Sequence, residues 1–177
     1  MTSPTREQRK RTLCRLVLAR ADIEATLRLC DLADRIGVKQ GDDIYFALHY
    51  AVVGSYARPF SGNDLGDLKG KWCKFGEPRL DEAHKYLVDV RNKYVAHSDA
   101  SARPVTIHTP GARLADGTFA TSYGVQAVNV ALTVESYKVV RELCLSLQGR
   151  LSAAIDDEVP RLFPHYVAAP FPLTWTS

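Results

Sequence analysis

Residues 5–37 read TREQRKRTLCRLVLARADIEATLRLCDLADRIG, and this stretch decides the fold class. Thr5 and Gln8 have the spacing of a capping box, and Gly37 provides a helix stop. Apolar residues recur between them at the spacing of one helix face. The stretch therefore predicts a long amphipathic helix. Its predicted apolar positions are Leu13, Leu16, Val17, Ile23, Leu27, Cys30 and Ile36.

Three further segments have the same periodicity. A second helix is predicted to begin with Asp42 as N-cap and to end at Pro59, a third to begin at Pro78, and a fourth to have Thr133 as N-cap. His49 lies beside the second apolar stripe and is interpreted as a core histidine rather than a ligand. The predicted stripes are Ile44, Leu48, Ala51, Val52, Ser55 and Tyr56; then Leu80, Ala83, Leu87, Val90 and Tyr94; then Tyr137, Val140, Cys144, Leu147, Leu151 and Ile155.

Two regions depart from this helical pattern. Short β-branched segments, VTIHT and YGVQAV, flank a turn-rich stretch and predict a small β-hairpin near residues 104–130. Residues 158–177 are rich in proline and aromatic residues, so we expect an irregular tail that packs on the body or on a partner subunit. The sequence thus predicts a single domain over residues 1–177, an all-α antiparallel bundle of four to five helices with one hairpin insertion.

Composition sets limits on the function. The chain has 177 residues, 46% hydrophobic and 24% charged, with a formal net charge of +3, which is typical of a soluble domain and permits a polyanionic partner. Neither a signal peptide nor a membrane-spanning segment is predicted, so a cytoplasmic location is expected. The four cysteines form no CxxC pair, and neither a glycine-rich phosphate loop nor a metal-binding carboxylate pair is present. We therefore expect no metal and no cofactor.

Residues 91–99, RNKYVAHSD, contain the candidate catalytic groups. Arg91 offers a permanently charged fork suited to phosphate oxygens, and His97 has an ordinary pKa suited to proton transfer near neutrality. Asn92 and Asp99 are accessory candidates that would orient a substrate or the histidine. The structural alternative is that His97 is a core histidine and that Arg91 only forms an ion pair.

The spacing of Arg91 and His97 raises a geometric difficulty. In a regular α-helix two side chains six positions apart point about 120° away from each other and lie about 9 Å apart along the axis. Joint action then requires that the helix unwinds near Ala96, or that a second copy of the chain completes the site across a twofold axis.

Two basic regions are candidate RNA contacts. In the long connection 59–78, three lysines alternate with aromatic residues, a mixture able to hold phosphates and stack bases. The favoured alternative is a packed loop anchored by its tryptophan. The basic residues in the first turns of the first helix, residues 6–15, are interpreted as a solvated face in preference to a phosphate contact. The candidate RNA-binding residues of the connection are Lys69, Lys71, Trp72 and Lys74.

Arg91-Asn92, four residues and then His97, at the end of an amphipathic helix in a small helical chain, resembles the motif of the HEPN superfamily. The resemblance covers residues 5–157 and is greatest with HEPN proteins of the abortive-infection type. It implies a homodimer and metal-independent endoribonuclease activity in toxin–antitoxin or antiphage defence, with Arg91 and His97 as the catalytic pair and RNA and a cognate antitoxin as partners. The alternative is a non-catalytic HEPN-fold dimeric module that binds a protein, a nucleotide or RNA.

Overall fold

The computed structural model describes residues 4–39, 42–62, 64–95, 105–111, 113, 117–119, 121, 124–127 and 133–163. Four α-helices and one small hairpin account for most of these residues, so the predicted all-α class is confirmed. Within the described part of the chain, no helix is long and apolar enough to cross a bilayer. The elements are α1 (Arg6–Ile36), α2 (Asp43–Ala57), α3 (Pro78–Val90), β1 (Val105–His108), β2 (Gly124–Ala127) and α4 (Val134–Leu162), with 3-10 turns at Arg58–Phe60 and Gly70–Cys73 and a π-helical turn at Arg91–Val95.

Helix α1 begins and ends where its sequence predicts. The Thr5 hydroxyl accepts from the Gln8 backbone N–H, and the Gln8 side chain accepts from the Thr5 backbone N–H, which completes the capping box. Gly37 ends the helix at φ 60°, a left-handed conformation that costs glycine little. Two positions of the predicted apolar stripe, Val17 and Ile36, are exposed at the edge of the buried face.

Helices α1 and α4 run antiparallel and form the most extensive interface of the bundle. Arg9 near the start of α1 pairs with Glu158 near the end of α4, at 3.0 Å. At the other end Arg141 donates to Asp31, at 2.8 Å. Every apolar position predicted on α4, from Tyr137 to Ile155, is buried, so the register of this helix was predicted correctly.

Helix α2 corrects the predicted register. Tyr45 is fully buried, whereas Ile44, predicted to be buried, is 51% exposed. Ala51 and Ser55 are also only partly buried. The physical reason is that α2 is apolar over most of its circumference, so periodicity alone does not determine which face turns inward. Asp42 is the N-cap residue by position, but its carboxylate accepts from the Lys39 backbone N–H instead of capping the helix.

The hairpin is present as predicted. β1 and β2 pair antiparallel, with Val105 opposite Ala127 and His108 opposite Gly124. The predicted tail boundary at residue 158 is wrong, because α4 continues through Pro160 to Leu162, which is buried. A proline in the last turn removes a hydrogen bond only where the helix is about to end. The rest of the predicted tail, residues 164–177, lies outside the described residues.

Candidate functional site

The candidate motif begins where α3 changes its winding. The regular α-helix ends at Val90, and Arg91–Val95 forms a π-helical turn. At the junction the Arg91 backbone N–H is shared between the carbonyl oxygens of Leu87 and Val88. π turns are rare, contain one residue more in each hydrogen-bonded ring, and occur frequently at functional sites.

The first five residues of the motif depart from regular α-helical winding. The departure from α-helical winding begins at Arg91, several residues before Ala96, where unwinding was one of the two predicted alternatives. The wider turn rotates the chain less at each residue than an α-helix does, and the separation between Arg91 and His97 stays a prediction. His97 and Asp99, the predicted catalytic and accessory residues, lie outside the described residues, as does the side chain of Tyr94.

Arg91 presents an oriented guanidinium at the surface. Its side chain is partly exposed, and Nη1 donates to Oδ1 of the exposed Asn92 at 3.1 Å. The ion pairs recorded for the described part of the chain do not include Arg91, so the alternative of a pair with Asp89 is not observed there. A cation at the end of α3 also interacts favourably with the helix dipole. Among the described residues, no carboxylate is paired with this guanidinium.

The π turn is anchored on the core. Val90, the last α-helical residue before it, is buried, and the turn packs against α2. Helix α3 meets the other end of α2 through a hydrogen bond of 2.8 Å between Tyr56 Oη and His84 Nδ1. Since the turn follows His84 along the chain and still contacts α2, it lies toward the N-terminus of α2. A packed helix thus supports the backbone that positions Arg91.

His84 is a buried polar residue that was not predicted from the sequence. It lies in a cage of aromatic rings, with the centroid of Phe60 at 4.6 Å and that of Phe75 at 5.6 Å. Burial lowers the pKa of His84, and the nearby Asp81 opposes that shift. The helical spacing from Leu80 through His84 to Leu87 was the available signal. The side chain of His84 therefore belongs to the core, where it is hydrogen-bonded to the Tyr56 hydroxyl.

His49 is fully buried on α2, which confirms the core interpretation. Burial lowers its pKa to about 4.

The lowered pKa of His49 predicts that the folded chain becomes less stable in mild acid. The unfolded chain binds a proton at His49 near pH 6.5, whereas the folded chain does so only near pH 4. The contribution of neutral His49 to the free energy of unfolding is therefore complete above pH 6.5 and is lost as the pH falls from 6.5 to 4. Between pH 7 and pH 5 we expect the free energy of unfolding to fall by about 2 kcal/mol because of His49. Urea unfolding at both pH values tests this, and His49→Phe should flatten the dependence. An equal loss in the variant would contradict it.

Trp72 anchors the connection between α2 and α3. Its side chain is buried, as the packed-loop interpretation predicts. Lys71 Nζ lies 5.0 Å from the ring centroid, and the Arg150 guanidinium of α4 lies 5.6 Å from it. Arg150 also donates to the carbonyl oxygens of Lys71 and Lys74, which fixes the loop on α4. Trp72 is therefore not an open platform for bases, whereas Lys69, Lys71 and Lys74 remain exposed cations.

Among the residues that the structure describes, we find neither a metal-binding cluster nor an activated buried cysteine. No group of His, Cys, Asp and Glu there has a metal-binding arrangement. Cys30 and Cys144 are buried in helices, and burial raises the pKa of the Cys30 thiol to about 12, so it stays protonated at neutral pH. Comparison of the chain with protein-family models, curated proteins and solved structures finds no match.

Proposed function

We propose that this chain is a HEPN-like, metal-independent endoribonuclease that works as a homodimer in a toxin–antitoxin or antiphage setting. The observation that carries the proposal is the guanidinium of Arg91. It lies at a π turn, is oriented by Asn92, and has no carboxylate partner among the described residues. His97 follows six positions later in the sequence. The helical bundle is also the architecture that the HEPN resemblance implies.

The proposed chemistry needs only groups of the protein and the RNA. His97 accepts the proton of a ribose 2′-hydroxyl, whose oxygen attacks the adjacent phosphorus. The bond from phosphorus to the 5′-oxygen breaks, and the leaving oxygen takes a proton from an imidazolium. Arg91 stabilises the negative charge that develops on the phosphoryl oxygens. The products carry a 2′,3′-cyclic phosphate and a 5′-hydroxyl.

A dimer supplies the two protonation states that this reaction uses. One imidazole must be neutral to accept a proton while another is charged to donate one. In a twofold dimer each motif faces its own copy, so His97 of one protomer serves as base and His97 of its partner serves as acid. The cognate antitoxin of such a protein would cover the cleft between the two motifs.

Arg91→Ala tests the proposed role of the guanidinium. We expect the rate of cleavage of single-stranded RNA in EDTA to fall by about 10²–10³-fold, the usual cost of removing one electrostatic stabiliser of a transition state. Lys93→Ala is the matched control, because Lys93 is an exposed cation in the same π turn, and its rate should stay close to that of wild type.

Equal losses in Arg91→Ala and Lys93→Ala would show that only the general positive charge of the turn matters. No cleavage by the wild-type dimer would favour the non-catalytic HEPN-fold module instead. That module would still dimerise and bind a protein, a nucleotide or RNA, but it would leave the RNA intact.

A further inference from the structure

A cavity of about 240 Å³ opens between α1 and the segment that follows α2. It is separate from the π turn, since Arg58 and Pro59 lie at the C-terminal end of α2 and the turn lies toward its N-terminus. Helix α2 has 15 residues and a length of about 22 Å, which sets the scale of the separation. The wall of the cavity is apolar along one part and charged along the rest. Its lining residues are Arg15, Leu18, Ala19, Asp22, Arg58, Pro59, Asp64 and Leu65.

Arg15 is the unusual member of this lining. Its side chain is half-buried, and its Nε atom is fully buried without a hydrogen-bond partner among the described residues. The recorded ion pairs of the described chain do not include it either. Gly66, at φ 86°, faces the guanidinium without a side chain: a Cβ there would lie 3.7 Å from Nη1 of Arg15. A partly buried guanidinium that forms no ion pair among the described residues is costly, so this position favours an anion.

Four charged side chains line the cavity, and two of them, Arg58 and Asp22, form an ion pair with each other. Arg58 Nη1 lies 2.5 Å from Oδ1 of Asp22, and the Arg58 side chain is 66% exposed. Burial raises the pKa of Asp22, and the charge of Arg58 opposes that shift. Arg11 donates to the main-chain carbonyl of Asp64, which holds a third guanidinium beside the cavity. Of the two arginines in the lining, Arg58 is paired with Asp22, whereas the ion pairs recorded for the described residues do not include Arg15.

We propose that this cavity binds a phosphate group, with Arg15 as its principal contact and Arg58 as the second. A planar guanidinium fork matches phosphate oxygens, and the apolar wall suits the base or sugar attached to that phosphate. The phosphate belongs either to a free phosphate monoester or to an RNA strand. In the RNA case the proposal rests on the proposed function and gives the substrate a second attachment, several nucleotides from Arg91.

The test measures binding rather than cleavage. The probes are inorganic phosphate, 5′-AMP and a 2′-O-methyl oligouridine of about ten nucleotides, which lacks the nucleophilic hydroxyl, titrated at about 50 mM salt. The variants are Arg15→Gln and, at the more exposed position, Arg58→Gln. Arg28→Gln is the matched control, since Arg28 is an exposed arginine on the same helix and the change in net charge is identical.

We expect Arg15→Gln to weaken binding of the oligouridine about tenfold, as the loss of a charged hydrogen bond implies, while Arg28→Gln changes it little. The slope of log affinity against log salt should fall by about 0.7, the value for one phosphate contact on a single strand. Arg58→Gln should weaken binding to a smaller extent.

If 5′-AMP or inorganic phosphate binds and Arg15→Gln weakens that binding, while the oligouridine is insensitive to the variant, the cavity is a site for a free phosphate. If no probe shows binding that depends on Arg15 more than on Arg28, the proposal is wrong. Binding of the uncleavable RNA by a protein that never cuts RNA would contradict the proposed function and leave the phosphate site standing.

Discussion

Replacing His97 with alanine is expected to lower the rate of RNA cleavage at least about 10³-fold, the largest catalytic effect that we predict. The proposed dimer uses His97 of one protomer to accept the 2′-hydroxyl proton and His97 of the other to protonate the leaving oxygen. A positioned acid or base contributes about 10²–10⁴-fold, and the substitution removes both at once. The measurement is the initial rate on a labelled single-stranded RNA in EDTA, with equal concentrations of dimer.

His97→Gln serves as the second variant, because glutamine retains hydrogen bonding but does not titrate near neutrality. It should lose nearly as much activity as His97→Ala while both variants keep the circular dichroism spectrum and the dimer size of wild type. Activity within threefold of wild type in either variant would contradict the role of His97 as acid and base. Loss of the dimer in both variants would indicate that His97 acts through assembly instead.

Leu147→Ala is expected to destabilise the folded chain by about 2–5 kcal/mol, the usual cost of removing a fully buried leucine. Leu147 is completely buried near the middle of α4, the helix that packs along α1. Truncation removes apolar contacts and leaves a cavity that a close-packed helix interface fills only partly. Urea unfolding followed by circular dichroism, at one fixed protein concentration, measures the effect.

Leu145→Ala is the matched control for that substitution. Leu145 lies two residues away on the same helix but is 44% exposed, so the same chemical change should alter stability by only about 0.5 kcal/mol. Similar destabilisation by the two substitutions would mean that the buried face of α4 is wrongly assigned. The comparison tests the helix register that both the sequence and the structure indicate.

The buried faces that could be predicted correctly belong to helices with a clear polar face, and α1 also has local signals at both ends. The capping box at Thr5 and the left-handed Gly37 define α1, and the stripe from Tyr137 to Ile155 defines α4. Helix α2 lacks a polar face of comparable width, so its periodicity predicted burial for Ile44 when Tyr45 is the buried residue. Which side of such a helix is buried depends on tertiary contacts that no local pattern encodes.

The candidate site could also be predicted only in part from the sequence. The identity of Arg91 and Asn92 as surface polar groups at the end of α3 could be read from the sequence, and the structure adds the bond between them. The π turn could not be predicted, because we identified no local pattern in RNKYV that indicates it; in the structure it packs against α2. The cavity beside Arg15 also could not be predicted, since it brings together α1 and a loop at least 36 positions away in sequence.

The central claim is that the chain cleaves RNA with its own side chains and the ribose 2′-hydroxyl. The most direct measurement is the chemical identity of the product ends after the wild-type dimer has acted on single-stranded RNA in EDTA. We predict a 2′,3′-cyclic phosphate on the upstream fragment and a 5′-hydroxyl on the downstream fragment. A 3′-hydroxyl with a 5′-phosphate, or RNA that remains intact, would contradict the account.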